Sequence, residues 1–252
     1  MANRLTSRGV LTGVVTVLIA IALASGIARS FYPTTVVTMA ESIRARAWRA
    51  LDIHDPSPAA RSRKIGEVES RFAANVAWIV VHAAVGSLFL LLAALQFVRP
   101  LRRRHLHLHR WNGRLLIASG IAIALTGMFF GVLIPAAGIR EAVIIGMAGT
   151  YFVVSLVNGA RAIYRRDMRR HGEWMTRAFA SAIGVSTVRL VAAVADLTLT
   201  PRGWALEDIF ILSLALGWGL TIGVTEIAIV VRKRAQDSRV RGPRGEFSQG
   251  VS

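Results

Sequence analysis

Four ionisable side chains stand out inside long apolar runs of this chain: His82, Arg177, Arg189 and Glu226. Placing such a group at the centre of a bilayer costs about 2.5 to 3.5 kcal/mol on insertion scales, so each calls for a partner or a wet cavity. Their chemistry is complementary. Arginine holds anions and never loses its proton, whereas histidine and a carboxylate exchange protons. A static alternative stands beside this: Arg177 and Glu226 could form an ion pair that does no more than fix helix register.

A second group is expected at the rim. His105, His107 and His109 alternate with leucines just before Arg110 and Arg114, and His171 opens another apolar run three residues ahead of Trp174. Alternating histidines can ligate a transition metal, but no nearby cysteine or carboxylate completes a four-ligand set, so no metal site is expected. A basic loop facing lipid headgroups is the preferred reading.

The elements that position these residues follow from composition. Of 252 residues 54% are hydrophobic and 18% charged, with a mean hydropathy of +0.50, which is greasier than a soluble domain. Six runs are long enough to cross a membrane, at about 10–27, 73–97, 115–134, 142–163, 174–199 and 209–231. The expected fold is therefore all-α, a polytopic six-helix transmembrane bundle spanning 10–231. A short N-terminus (1–9) precedes it and a disordered basic tail (232–252) follows.

Lys and Arg number 31 against 14 Asp and Glu, a net charge of +17. These cations crowd the second and fourth connections and both ends of the chain, so the positive-inside rule places both termini in the cytoplasm of a bacterial-type inner membrane. Because the charge follows membrane topology, nucleic acid is not an expected partner; membrane lipid is. Zero cysteines exclude disulfides and a cysteine nucleophile. The outer loop, 28–72, is the exception to the charge pattern, and within it 36–53 has helical spacing compatible with lying flat on a membrane. The first run carries Ala22-Leu23-Ala24, so a cleaved signal peptide is the alternative to a first span.

Counting rise per residue puts His82 about 10 to 13 Å and Arg189 roughly 15 Å below the outer boundary, in one layer. Glu226, about 8 to 9 Å from the inner end of its span, shares a second layer with Arg177. Asn75, Trp78, His82 and Gly86 fall on one helical stripe. Asp196, seven residues after Arg189, is its expected partner. Gly219 and Gly223 share the Glu226 stripe and are expected to admit a close neighbouring helix.

Taken together, His82-x3-Gly86, Gln96-Phe97, His109-Arg110-x2-Gly113-Arg114, His171-x2-Trp174-Met175-x-Arg177, Arg189-Leu190, Trp218 and Glu226 resemble the bacterial membrane proteins of domain of unknown function 2306. The resemblance runs from about Asn75 to Val231 and implies architecture and candidate residues, without a reaction. A weaker similarity, carried by Gln96 and His109-x3-Gly113, is to cytochrome b561-type bundles and implies haem b. Only His82 lies well inside a span, which leaves His109 and His171 at the rim as the ligand pair for a single haem.

Three functional classes follow. The first binds or transports a small anionic or lipid-like molecule through His82, Arg189, Arg177 and Glu226, with His109, Arg114, His171 and Trp174 as further ligand-binding candidates. The second is a membrane redox protein carrying haem b or acting on quinone. The third is a structural membrane subunit. No Gly-x-Ser-x-Gly element marks a hydrolase, and no catalytic residue is assigned.

Overall fold

The computed structural model describes residues 2–33, 35–96, 98 and 103–241. Among these, eight α-helices follow one another: α1 (Ala2–Phe31), α2 (Val36–Ala50), α3 (Pro58–Ala74), α4 (Val76–Gln96), α5 (Leu106–Met128), α6 (Gly138–Tyr164), α7 (Met168–Leu199) and α8 (Leu206–Arg241). Six of them, α1 and α4 to α8, contain a stretch long and apolar enough to cross a membrane. Helix is the form such runs must take, because lipid offers no partner to an unpaired peptide group.

Each of the six expected spans is built on a helix; the second, 73–97, is shorter than expected, since α4 starts only at Val76 after the turn at Asn75, whereas other helices outrun their apolar windows. α5 begins at Leu106 and α7 at Met168, taking in the histidine- and arginine-rich turns that hydropathy discounts. Long basic side chains let a helix continue past the hydrocarbon boundary, since their heads reach the headgroups. The same reason corrects the tail: α8 runs to Arg241, well beyond Val231, and 242–252 lie outside the described residues, as do Phe97, Arg99 and Arg102.

The outer connection also differs from a simple loop. α2 covers the helical part expected there, and α3 is an additional helix running almost into α4, with a break at Asn75, whose amide donates to the Arg71 carbonyl at 3.0 Å. Together α2 and α3 form a cap on one face of the bundle.

Helices α1, α4, α5, α6 and α7 pack in a ring, each against the next and α7 back against α1; α8 lies along α7 and touches α6. The ring encloses a core of Ala22, Phe89, Leu90, Ala93, Leu116, Phe152, Leu156 and Ala178. Ser186 on α7 donates to the Leu18 carbonyl on α1 at 2.7 Å and is 0% exposed, so α1 is a full member of the ring. Small residues set the α7/α8 approach. A Cβ on Gly217 would fall 2.5 Å from the backbone N and Cα of Val188, and Gly184 makes room for the Trp218 ring. By contrast Gly219 and Gly223 face open space, so the close approach expected there belongs to Gly217 and Gly184 instead.

Candidate functional site

Two polar layers cross the bundle, and a charged cap lies over one of them. In the layer beneath the cap, His82 on α4 meets Thr126 on α5, Nδ1 to Oγ1 at 2.8 Å. The Thr126 hydroxyl also donates to the Ala122 carbonyl at 2.8 Å. The imidazole and the helix carbonyls therefore share the one hydroxyl proton of Thr126. One turn on, Phe129–Leu133 forms a π-helical segment, a widening often met at functional sites. It sets Phe130 edge-on to His82 at 6.4 Å and stacks Phe129 on Trp78 at 5.1 Å, so Trp78 and His82 share a face as their spacing predicts.

Arg189 on α7 is within electrostatic reach of His82, and also of Arg29 on α1. Its guanidinium is accessible from the bundle surface yet crowded by protein, and its nearest acceptor is the Val185 carbonyl at 3.5 Å. Arg29 is held as loosely: Nη1 lies 3.5 Å from the Pro33 carbonyl, and the guanidinium sits over the Phe72 ring at 4.7 Å. Among the described residues neither arginine has a carboxylate partner. Arg29 was hidden in the sequence because the apolar run stops at Ile27; a helix continued by one turn would have revealed it.

Asp196 is not the partner of Arg189. Its Oδ1 accepts from Arg61 Nη1 of α3 at 2.8 Å and from the Thr200 hydroxyl at 2.8 Å. Arg61, 8% exposed, also donates from Nη2 and Nε to Glu41 of α2 at 2.8 and 2.9 Å, and Arg44 joins the cluster through Glu41. Burial of the Glu41 carboxyl pushes its pKa up, but the guanidinium groups of Arg61 and Arg44 outweigh that and hold it below the ordinary 4.5. Lys64 of α3 pairs with Glu207 at the start of α8, a second tie between cap and bundle.

The second layer, toward the opposite face, is tightly paired. Arg177 of α7 donates from Nε to Glu226 Oε1 at 2.6 Å and from Nη2 to Oε2 at 2.7 Å, a two-pronged ion pair between α7 and α8. The Tyr151 hydroxyl of α6 donates to Oε1 at 2.6 Å, and the guanidinium stacks over Trp174 at 4.6 Å. Tyr151 completes the set from a third helix; nothing in its sequence position distinguishes it from the other aromatic residues of α6.

At the rim the candidates disperse. His171 Nδ1 donates to the Gly159 carbonyl at 2.9 Å, which leaves Nε2 with the lone pair. The His109 carbonyl accepts from Gln96 Nε2 at 3.1 Å, and no ring contact joins His109 to His171. Arg114 is exposed and lies over Trp111 at 5.0 Å, away from both layers. Among the described residues no group of three or more His, Asp or Glu is arranged to hold a metal ion.

The molecule is thus a multi-pass helical membrane protein with polar residues buried across its spans. The family described as Predicted membrane protein (DUF2306) matches residues 79–229, more than half of the chain, and the chain belongs to it. No curated protein and no solved structure matches the chain.

Proposed function

We propose that the layer of His82, Arg189 and Arg29 binds, and in a transport cycle passes on, a small anionic or lipid-like molecule. The observation that carries this is the pair of guanidinium groups at membrane depth with one long bond each to a backbone carbonyl and, among the described residues, no carboxylate. Two like charges within electrostatic reach of each other repel, and a charge held at membrane depth without a partner is costly; a bound anion relieves both. Arg177 supplies the contrast, since its charge is already answered by Glu226. His82 adds a titratable imidazole to the same layer, where it can take up a proton along with the anion. The surface accessibility of Arg189 supports a route for the ligand from the side, through lipid.

The proposed setting is a bacterial-type cytoplasmic membrane, with both termini on the cytoplasmic side and the α2/α3 cap outside. Thermal unfolding of the detergent-purified protein with decanoate or phosphatidylglycerol, a carboxylate and a phosphodiester amphiphile, tests the reading. At least one should raise the midpoint of the wild type, with the shift lost in Arg189→Gln and reduced in His82→Ala. Equal behaviour of wild type and both variants defeats the proposal.

A second reading, a redox protein holding haem b or quinone, is favoured by one observation. The Gly159 carbonyl fixes the His171 ring and leaves Nε2 available, as second-shell partners of metal-ligating histidines do. An absorption spectrum of haem-supplied protein, oxidised and then reduced with dithionite, decides it: a flat visible region removes the haem version.

A further inference from the structure

The hairpin between α6 and α7 forms a cavity of about 230 Å³ that shares only Trp174 with the Arg177–Glu226 layer and nothing with the His82 layer. Asn158, Arg161 and Arg165 line it from the α6 side, and Asp167, Arg170 and Trp174 from the α7 side. The chain turns there through a left-handed residue, Arg166 at φ +56°, with Arg166 N–H donating to the Ile163 carbonyl and Asp167 N–H to the Ala162 carbonyl, both at 2.9 Å. This closing pattern of a helix end draws the last turn of α6 and the first turn of α7 together around the cavity.

The charges on its wall do not balance. Asp167 is committed to Arg170: Oδ1 accepts the backbone N–H at 2.9 Å, and Oδ2 lies 3.4 Å from Nε. Arg161 and Arg165 have no carboxylate partner among the described residues, and the Asn158 side-chain amide makes no hydrogen bond there. Three arginines against one aspartate leave two positive charges and an open amide facing a small space. Arginine's planar fork suits a tetrahedral oxyanion, and Asn158 adds a neutral donor. The volume falls below the roughly 300 to 1,000 Å³ of pockets for drug-sized ligands, so the fit is to a headgroup-sized ester, not to acyl chains. Trp174 walls one side, and indoles concentrate at the membrane–water boundary where lipid phosphates lie.

We propose that this cavity binds a phosphate ester group, with Arg161 and Arg165 as its charge partners and the Asn158 amide as donor. The site stands apart from the His82 layer and does not rest on that reading. The phosphate comes either from a lipid headgroup or from a soluble molecule. Titration calorimetry on the full-length protein in detergent separates the sources, with inorganic phosphate as one probe and dihexanoyl phosphatidylglycerol as the other. Binding of the lipid alone assigns a headgroup site, and binding of phosphate, alone or with the lipid, assigns recognition of the phosphate itself.

In either case the double variant Arg161→Gln/Arg165→Gln should bind at least tenfold more weakly, while Arg103→Gln/Arg104→Gln on the exposed basic segment before α5 should bind as the wild type does. Asn158→Asp, nearly isosteric and repelling the anion, should also lose at least tenfold, and it serves if the double variant does not fold. No binding of either probe, equal losses in the Arg103/Arg104 control, or unchanged affinity in Asn158→Asp overturns the proposal.

Discussion

Arg61 of α3 and Asp196 of α7, 135 positions apart in the chain, are joined by hydrogen bonds of 2.8 and 3.3 Å. This pair anchors the cap to the bundle, and Glu41 shares the same guanidinium. The layer of His82, Arg189 and Arg29 lies beneath the cap, with Phe72 of α3 directly against Arg29. The cap therefore covers the proposed ligand layer, and Arg61 is its most buried tie to the bundle, beside those of Lys64 to Glu207 and Arg71 to the Pro135 carbonyl.

Replacing Arg61 with Ala leaves Glu41 and Asp196 with Arg44 alone as their counter-charge, 2.8 Å from the first and 3.9 Å from the second. Breaking a buried pair by removing one partner costs on the order of 3 kcal/mol. Hydrogen exchange across 36–74 should speed up markedly while the core of α4 to α7 stays protected. Uniform loss of protection through the whole bundle would show that the cap and the bundle do not unfold separately.

The cap should also respond to acid. Glu41 has a folded pKa held below its ordinary 4.5, so its contribution to stability is complete above that pH and is lost as pH falls through the lower, folded value. The protection of α2 and α3 against exchange, corrected for the intrinsic pH dependence of amide exchange, should be constant from pH 7 down to about 4.5 and fall below it. A transition centred above pH 5 would assign the response to another group.

For the second layer, Glu226→Gln weakens a charge-assisted bond set worth about 1.5 to 3 kcal/mol, and Tyr151→Phe removes a single hydrogen bond worth about 1 kcal/mol. Partial exposure of Glu226 places the first of these toward its lower end. A double-mutant cycle of Arg177→Gln and Glu226→Gln should show coupling in unfolding experiments. Additive effects would refute a direct pair.

The glycines of α8 divide sharply. Gly217→Ala drives a methyl group into the Val188 backbone, which has no flexible end to move aside, and overpacking of this kind costs about 1 to 3 kcal/mol. Gly223→Ala meets nothing and should be neutral or slightly stabilising, because alanine favours helix. Equal loss of folded protein in both variants would mean that α7 and α8 do not pack as described.

Hydrophobic run length alone determined the six spans, because a bilayer admits little besides helix and the required length is set by its thickness. Counting rise along those spans placed His82 with Arg189 and Arg177 with Glu226, since residues at one depth on neighbouring helices must meet or face a shared cavity. Which groups then bond was decided by tertiary structure. Asp196 lies on the same face as Arg189 two turns on, yet Arg61 takes it, because α3 folds back over the bundle end and no local pattern signals that return. Gly219 and Gly223 have the spacing of a helix contact, but α7 approaches the other side of α8, where Gly217 lies. Spacing limits which residues can share a face; only the packing of whole helices chooses the face that is covered, and so leaves Arg29 and Arg189 without a carboxylate partner among the described residues.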